Sequence, residues 1–257
     1  MNKIVLSGPI WLASDLHLGP ATPATSEAFL AFLQAAEEEA AALLLPGDIF
    51  DAWIGDDVIR AAPPWLATAL TALRATAGRI PVWLGRGNRD FLIGEELAAA
   101  VGARLLPEPA LLQTDYGDIL LTHGDEFCTD DAAYQQFRQM VRNPQWQAEF
   151  LAKTIPERLA MAQQARGESQ MANQAKSMEI MDVNAGAVEQ AFRDHGVTLM
   201  VHGHTHRPAR HVLEVDGAKR ERWVLPDWDC DHVSPPRGGW LVIDRDGLEF
   251  YDLETAD

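Results

Sequence analysis

Ile10-Trp11-Leu12-Ala13-Ser14-Asp15-Leu16-His17 is an apolar run that stops on a carboxylate and an imidazole. The same grammar recurs four times along the chain. Asp48 follows Leu43-Leu44-Leu45, Asn88 follows Val82-Trp83-Leu84, His123 follows Ile119-Leu120-Leu121, and His204 and His206 follow Leu199-Met200-Val201. Short apolar runs bounded by polar turns read as buried strands. Ligand sites of α/β proteins lie off the carboxyl ends of such strands. Five polar clusters at five strand ends are therefore expected to converge on one rim.

Between these runs the pattern alternates with helical periodicity, the signature of βαβ units. Strands are expected over Ile4 to Ala13, Leu43 to Leu45 and Ile80 to Leu84, and helices over Ser26 to Leu43, Pro64 to Ala77 and Glu95 to Val101. Hairpins are expected around Tyr116-Gly117, Asp216-Gly217 and Asp246-Gly247, flanked by Leu111 to Asp115 with Asp118 to Thr122, His211 to Val215 with Arg222 to Leu225, and Trp240 to Asp244 with Leu248 to Leu253. Late hairpins after early βα units predict an α/β fold of two sheets packed face to face with helices outside, in one domain spanning 1–257. Residues 127–184 differ. They are rich in Gln, Ala, Met and Arg, lack strand patterns, hold no glycine except Gly167, and are expected to form an inserted helical lid. Arg138, Arg142, Lys153, Arg158, Arg166 and Lys176 nearly balance the acids there, so the remainder carries about −16 of the formal −17.

Composition bounds the function. At 257 residues and 47% hydrophobic content the chain can bury a full core. No run of eighteen apolar residues provides a membrane span. The start, Met-Asn-Lys leading into a strand pattern, shows no signal-peptide pattern, so a cytoplasmic location is expected. Cys128 and Cys230 are expected to be free thiols, since they form neither a disulfide framework nor a zinc pattern. The charge of −17 argues against nucleic acid as a partner.

Asp15, His17, Asp48, Asn88, His123, His204 and His206 are seven oxygen or imidazole donors, enough for two divalent cations if one carboxylate is shared. Such a pair, about 3.5–4 Å apart, clamps the attacking and leaving oxygens of a phosphoryl displacement. Asp15 and His17 stand two apart, so an extended segment would point both side chains the same way. A carboxylate with an imidazole suits Mn²⁺, Fe²⁺ or Zn²⁺. Asp48 is expected to bridge, with Asn88 and His123 on the second cation. In His202-Gly203-His204-Thr205-His206 all three imidazoles can face one way, with Gly203 permitting a tight bend. His202 remains open between a place near the ions and a buried polar role. Asp51, Asp56 and Asp57 are expected to be loop charges or partners of the ligands. Taken singly, D-x-H and G-D are commonplace and G-N-x-D is an ordinary turn.

The order D-x-H, G-D, G-N, H-G, G-H-x-H resembles the calcineurin-like metallophosphoesterases. The resemblance implies their sandwich of two mixed sheets flanked by helices, with His204 on the second metal and His206 on the first. Many members have histidine after the asparagine, where it protonates an alkoxide leaving group. Here Arg89 stands there and cannot deliver a proton near neutrality. A phosphate leaving group, with a second pKa of about 6, needs no such acid, and a guanidinium stabilises its charge. Arg89, unless it merely pairs with Asp90, therefore favours a diphosphate substrate. Ala52-Trp53-Ile54-Gly55-Asp56-Asp57, Gly87-Asn88-Arg89-Asp90-Phe91-Leu92, His123-Gly124-Asp125 with Cys128-Thr129-Asp130-Asp131, and Ile180-Met181-Asp182-Val183-Asn184 are similar to the UDP-2,3-diacylglucosamine hydrolase family, over roughly residues 11–210. That resemblance implies cleavage of UDP-2,3-diacylglucosamine at the α-phosphorus to UMP and 2,3-diacylglucosamine 1-phosphate (lipid X), in lipid A biosynthesis. It implies two cations, commonly Mn²⁺, in an enzyme peripheral on the cytoplasmic face of the inner membrane, here expected as a monomer. Catalytic roles fall on Asn88 and Arg89, and substrate contacts on Asn88, Arg89, Asp131, Ser169, Asn173, Lys176 and His204.

Ser169, Asn173 and Lys176 recur at helical spacing, forming one polar stripe. Trp146, Phe150, Leu151, Ile155 and Leu159 can line acyl grooves, touch a membrane, or simply form the core of the lid. Rivals are a related dimetal nucleotide pyrophosphatase or phosphodiesterase, and a non-catalytic scaffold of the same fold. Val224-Leu225-Pro226-Asp227-Trp228-Asp229 and Pro235-Pro236-Arg237-Gly238-Gly239 suggest only turns and terminal strands.

Overall fold

The structure, a computed structural model, describes residues 3–174 and 182–253. The expected first strand is two strands, β1 (Lys3–Val5) and β2 (Ile10–Leu12), in different sheets. Gly8, at φ +82°, turns the chain between them, and Pro9 brings no N–H to a ladder. There follow α1 (Pro23–Glu39), β3 (Ala42–Leu45), α2 (Pro64–Ala77), β4 (Val82–Leu84), α3 (Glu95–Val101) and β5 (Arg104–Leu105). The first helix starts before the expected Ser26 because Pro23 fits the first helical position, where its missing N–H costs nothing.

The chain continues through β6 (Ala110–Gln113), β7 (Asp118–Leu121), α4 (Ala132–Val141), α5 (Pro144–Leu151), α6 (Ile155–Gln174) and α7 (Ala185–His195). It ends with β8 (Leu199–His202), β9 (Ala209–Val215), β10 (Ala218–Val224), β11 (Gly239–Ile243) and β12 (Leu248–Asp252). One sheet has the order β12-β11-β2-β3-β4-β5 and the other β1-β6-β7-β8-β10-β9, each mixing parallel and antiparallel neighbours.

Alternation along the strands builds three apolar layers. Ile10, Leu12 and Leu44 meet Leu112, Leu121 and Val201 between the sheets. Their neighbours Trp11, Leu43 and Leu45 face the other way, onto Phe29, Phe32 and Leu73 of α1 and α2. Leu120 and Met200 pack under Val188 and Phe192 of α7. Cutting one inter-sheet leucine to alanine costs about 2–5 kcal/mol. This layering holds β2, β3, β4, β7 and β8 with their carboxyl ends on one rim.

Helices α4 to α6 are tied to the body by arginines. Arg138 reaches Asp125 (2.8 Å) and Glu108 (3.0 Å), and Arg142 reaches Glu108 (2.6 Å) and the Gly87 carbonyl (3.2 Å). Arg158, only 1% exposed, donates to the Ile54 carbonyl (2.6 Å) and to Asp57 (2.8 Å). Arg166 pairs with Asp51. The near-neutral insertion thus sits on acids of a strongly negative body.

Candidate metal centre

Seven donors meet above the strand ends, and their backbone explains how. Asp15, His17, Asp48, His204 and His206 all adopt left-handed conformations, with φ from 49° to 67°. Non-glycine residues rarely do so, at roughly 1–3 kcal/mol each, and such residues gather at functional sites. This corrects the extended geometry expected for Asp15 and His17: successive left-handed turns, not strand alternation, aim both inward. It also corrects the role of Gly203. A Cβ there would collide with the Asp15 carboxylate and Ser14 hydroxyl, so the glycine supplies space while its histidine neighbours make the bends.

Asp15, Asp48 and His123 form a buried floor, with His17, Asn88, His204 and His206 toward the rim. Ser14 Oγ and the His204 N–H donate to Asp15. His206 Nε2 lies 3.4 Å from Asp15 Oδ1 and 3.4 Å from His17 Nε2. Asn88 Oδ1 lies 3.1 Å from His123 Nε2 and 2.8 Å from His204 Nδ1. Asp48 stands between these flanks: Oδ2 is 3.9 Å from His17 Nδ1, and Oδ1 is 3.7 Å from His123 Nε2. Donor atoms of Asp15, His17 and His206, and of Asp15, Asp48 and His123, lie close enough together for each trio to surround one ion.

Electrostatics agree with that use. Burial pushes the Asp48 carboxyl up to about 7, against the opposing pull of His123. Burial would lower His123, but the Asp48 and Asp15 charges carry it to about 9. His17 Nδ1 and His123 Nδ1 are buried without hydrogen-bond partners. Against its burial, neighbouring imidazoles hold the Asp15 carboxyl well below the usual carboxylate range. Asp48, by contrast, is a buried carboxylate short of positive charge, which a divalent cation would satisfy. The residues fit the group.

Arg89 stands at the edge of this floor. Its N–H donates to Asp48 Oδ1 (2.8 Å), and its guanidinium lies 3.9 Å from Asp48 Oδ2 and 3.4 Å from Asp51 Oδ1. It does not pair with Asp90. The Asp90 carboxylate, fully buried, accepts instead from the N–H groups of Asp48 (3.1 Å), Ile49 (2.7 Å), Phe50 (3.3 Å) and Gly87 (2.7 Å), locking two donor loops together. Asp51, Asp56 and Asp57 make structural contacts outside the seven donors: Asp51 pairs with Arg89 and Arg166, Asp57 accepts from Arg158, and Asp56 accepts from Trp53 Nε1 and from the N–H groups of Gly94 and Leu97.

His202 turns away from the cluster, correcting the picture of three imidazoles facing one way. It is fully buried, its Nε2 2.9 Å from Arg222 Nη1 and its Nδ1 2.9 Å from the Gly203 carbonyl. Asp131 caps α4 by accepting from Tyr134 N (3.1 Å), and Ser169 is exposed on α6. Lys176 and the side chain of Asn173 lie outside the described residues. Trp146 and Phe150 stack on each other at 5.0 Å and join the helix-side core, whereas Leu151, Ile155 and Leu159 are exposed. Neither Cys128 nor Cys230 is part of a disulfide.

The sequence reading missed several supports. Asp125 accepts from Tyr134 Oη (2.6 Å), whose ring stacks on His204 at 5.8 Å. The segment 225–239, to which no function was given, lies against the cluster: Trp228 N donates to the Asp15 carbonyl (3.0 Å), and Asp227 approaches His206. Asp231 caps α1 through Ala24 N and Thr25 N, each at 2.9 Å. Asp90 carried a faint signal in G-N-x-D. The tail carried none, because its contacts with Asp15 and with the start of α1 cross about two hundred residues.

Residues 8–208 match the family model described as calcineurin-like phosphoesterase. The chain is 81% identical over 98% of both chains to the UDP-2,3-diacylglucosamine hydrolase of Bordetella pertussis (strain Tohama I). It is 46% identical to that of Chromobacterium violaceum, over 95% of this chain and 98% of that one. A solved archaeal phosphodiesterase aligns at 12% identity and TM-score 0.48, covering 95% of this chain and 99% of that one. The chain belongs to the calcineurin-like phosphoesterases and, within them, to the UDP-2,3-diacylglucosamine hydrolases.

Proposed function

We propose that this protein hydrolyses UDP-2,3-diacylglucosamine at the α-phosphorus, releasing UMP and 2,3-diacylglucosamine 1-phosphate. The supporting observation is the convergence of seven donors around a floor of two buried carboxylates. Asp15, His17, Asp48 and His206 would hold one cation, and Asp48, Asn88, His123 and His204 the other, both Mn²⁺. Divalent cations so held lower the pKa of water and draw charge from phosphoryl oxygens. Arg89, 30% exposed and paired only loosely with Asp51, is free to swing its guanidinium onto the diphosphate. No side chain need protonate the leaving phosphate, which agrees with arginine rather than histidine after Asn88.

Helices α4 to α6 act as the lid over the acyl chains. Phe137, Met140, Leu151, Ile155, Leu159, Met161 and Met171 are exposed there, a concentration of large apolar side chains that suits a lipid substrate and a membrane surface. No helix among the described residues is long and apolar enough to cross a membrane, so attachment to the inner membrane's cytoplasmic face would be peripheral. Asp131, Ser169, Asn173 and Lys176 would contact the sugar and its phosphate. The test is UMP release from UDP-2,3-diacylglucosamine by metal-stripped protein resupplied with Mn²⁺. Turnover restored by Mn²⁺ is expected. Faster turnover of short soluble nucleotide diphosphates would overturn the substrate assignment.

A further inference from the structure

We propose that Asp227 is a positioning residue for His206, with Arg237 as its counter-charge. The proposal rests on the metal reading above. The two nitrogens of the His206 ring are divided between two carboxylates. Nε2 faces the cluster, 3.4 Å from Asp15 Oδ1, while Nδ1 lies 3.3 Å from Asp227 Oδ2. An imidazole that offers Nε2 to a cation must carry its proton on Nδ1, and a carboxylate there fixes both tautomer and ring orientation. His206 needs such a brace most. It is 36% exposed, against 15% for His17 and 0% for His123.

Asp227 is built to serve. Its carboxylate is 3% exposed, and Oδ2 also accepts from Arg237 Nη2 at 2.6 Å. Its other oxygen, Oδ1, is buried with no hydrogen-bond partner, a cost that closing a turn does not explain. The backbone holds both residues in register: Trp228 N donates to the Asp15 carbonyl (3.0 Å), and Asp229 and Arg237 exchange N–H···O bonds at 2.7 and 2.9 Å.

The test is calorimetric titration of the full, metal-stripped chain with Mn²⁺ alone, alongside its metal-free unfolding midpoint. Wild-type protein should take up two Mn²⁺. In Asp227→Ala one of the two sites should weaken about 10–100-fold while the other keeps its affinity. Asp227→Asn, which still accepts from Nδ1, should fall between, and Arg237→Ala should weaken the same site less than Asp227→Ala. Unchanged affinity at both sites in Asp227→Ala, with only the unfolding midpoint lowered, would overturn the proposal and leave the metal reading standing. If only Asp227→Asn folds, wild-type affinity at both of its sites would do the same. Wild-type protein that binds no Mn²⁺ would remove both.

Discussion

His204 and His206 stand two residues apart on one loop, yet they belong to flanks held by different parts of the chain. His204 lies under Tyr134 of the helical insertion, its Nδ1 2.8 Å from Asn88, beside the fully buried His123. His206 is open to solvent beside His17, and its far side meets the segment after β10. The closed flank is walled by the insertion through Tyr134 and Asp125, whereas the open flank is tied down by backbone and carboxylate contacts from the tail. Insertion and tail therefore contact opposite halves of one donor cluster. Among the seven donors His206 is the most exposed to solvent.

Removing what the flanks share should have the largest effect. Asp48 lies between them, so Asp48→Ala should abolish UMP release, a loss beyond about a thousandfold, and Asn88→Ala should do likewise from the closed flank alone. Circular dichroism should show both variants folded. Arg89 belongs to neither flank; with the proposed role on transferred charge, Arg89→Ala should lower kcat about 10²–10³-fold, with lysine recovering part. Tyr134→Phe keeps the ring on His204 and loses only the bond to Asp125. It should cost roughly 1 kcal/mol of stability in urea titrations, with a kcat loss of at most about tenfold.

The smallest effect concerns pH. Burial, aided by the Arg222 charge, lowers His202 from 6.5 to about 3. The unfolded chain therefore binds that proton first as pH falls, and the group's contribution to stability is lost between about 6.5 and 3. Subtracting the urea midpoints of His202→Gln from those of metal-free wild type should isolate this slope. A difference that stays flat would mean His202 is protonated in the fold.

The donors were legible because each ends an apolar run, a pattern local in sequence and set by strand geometry. Pro64 to Ala77 and Glu95 to Val101 emerge with the expected ends. Ile4 to Ala13 did not, because hydrophobicity continues through Leu6 while Gly8 redirects the backbone. Left-handed φ at five donors was not legible in sequence, since histidine and aspartate visit that region more often than most residues but nothing local marks which of them do. Asp227 and Arg158 were not legible for a further reason. Their partners lie 21 and 101 residues away, and pairing at such distances is decided by folding rather than by spacing.

Asp90 points to a consequence about stoichiometry. Asp15, Asp48, Asp90, Asp125 and Asp227 are all buried near the rim, and a crowd of carboxylates of that size would attract cations indiscriminately. Asp90 is already saturated by four amides, whereas Asp125 is met by a phenol and a guanidinium, and Asp227 by its arginine and histidine neighbours, each through Oδ2 alone. Asp15 and Asp48 face the imidazoles of the donor cluster. The surplus anions beside the cluster are thus engaged by peptide groups and side chains that never leave, which biases cations toward Asp15 and Asp48.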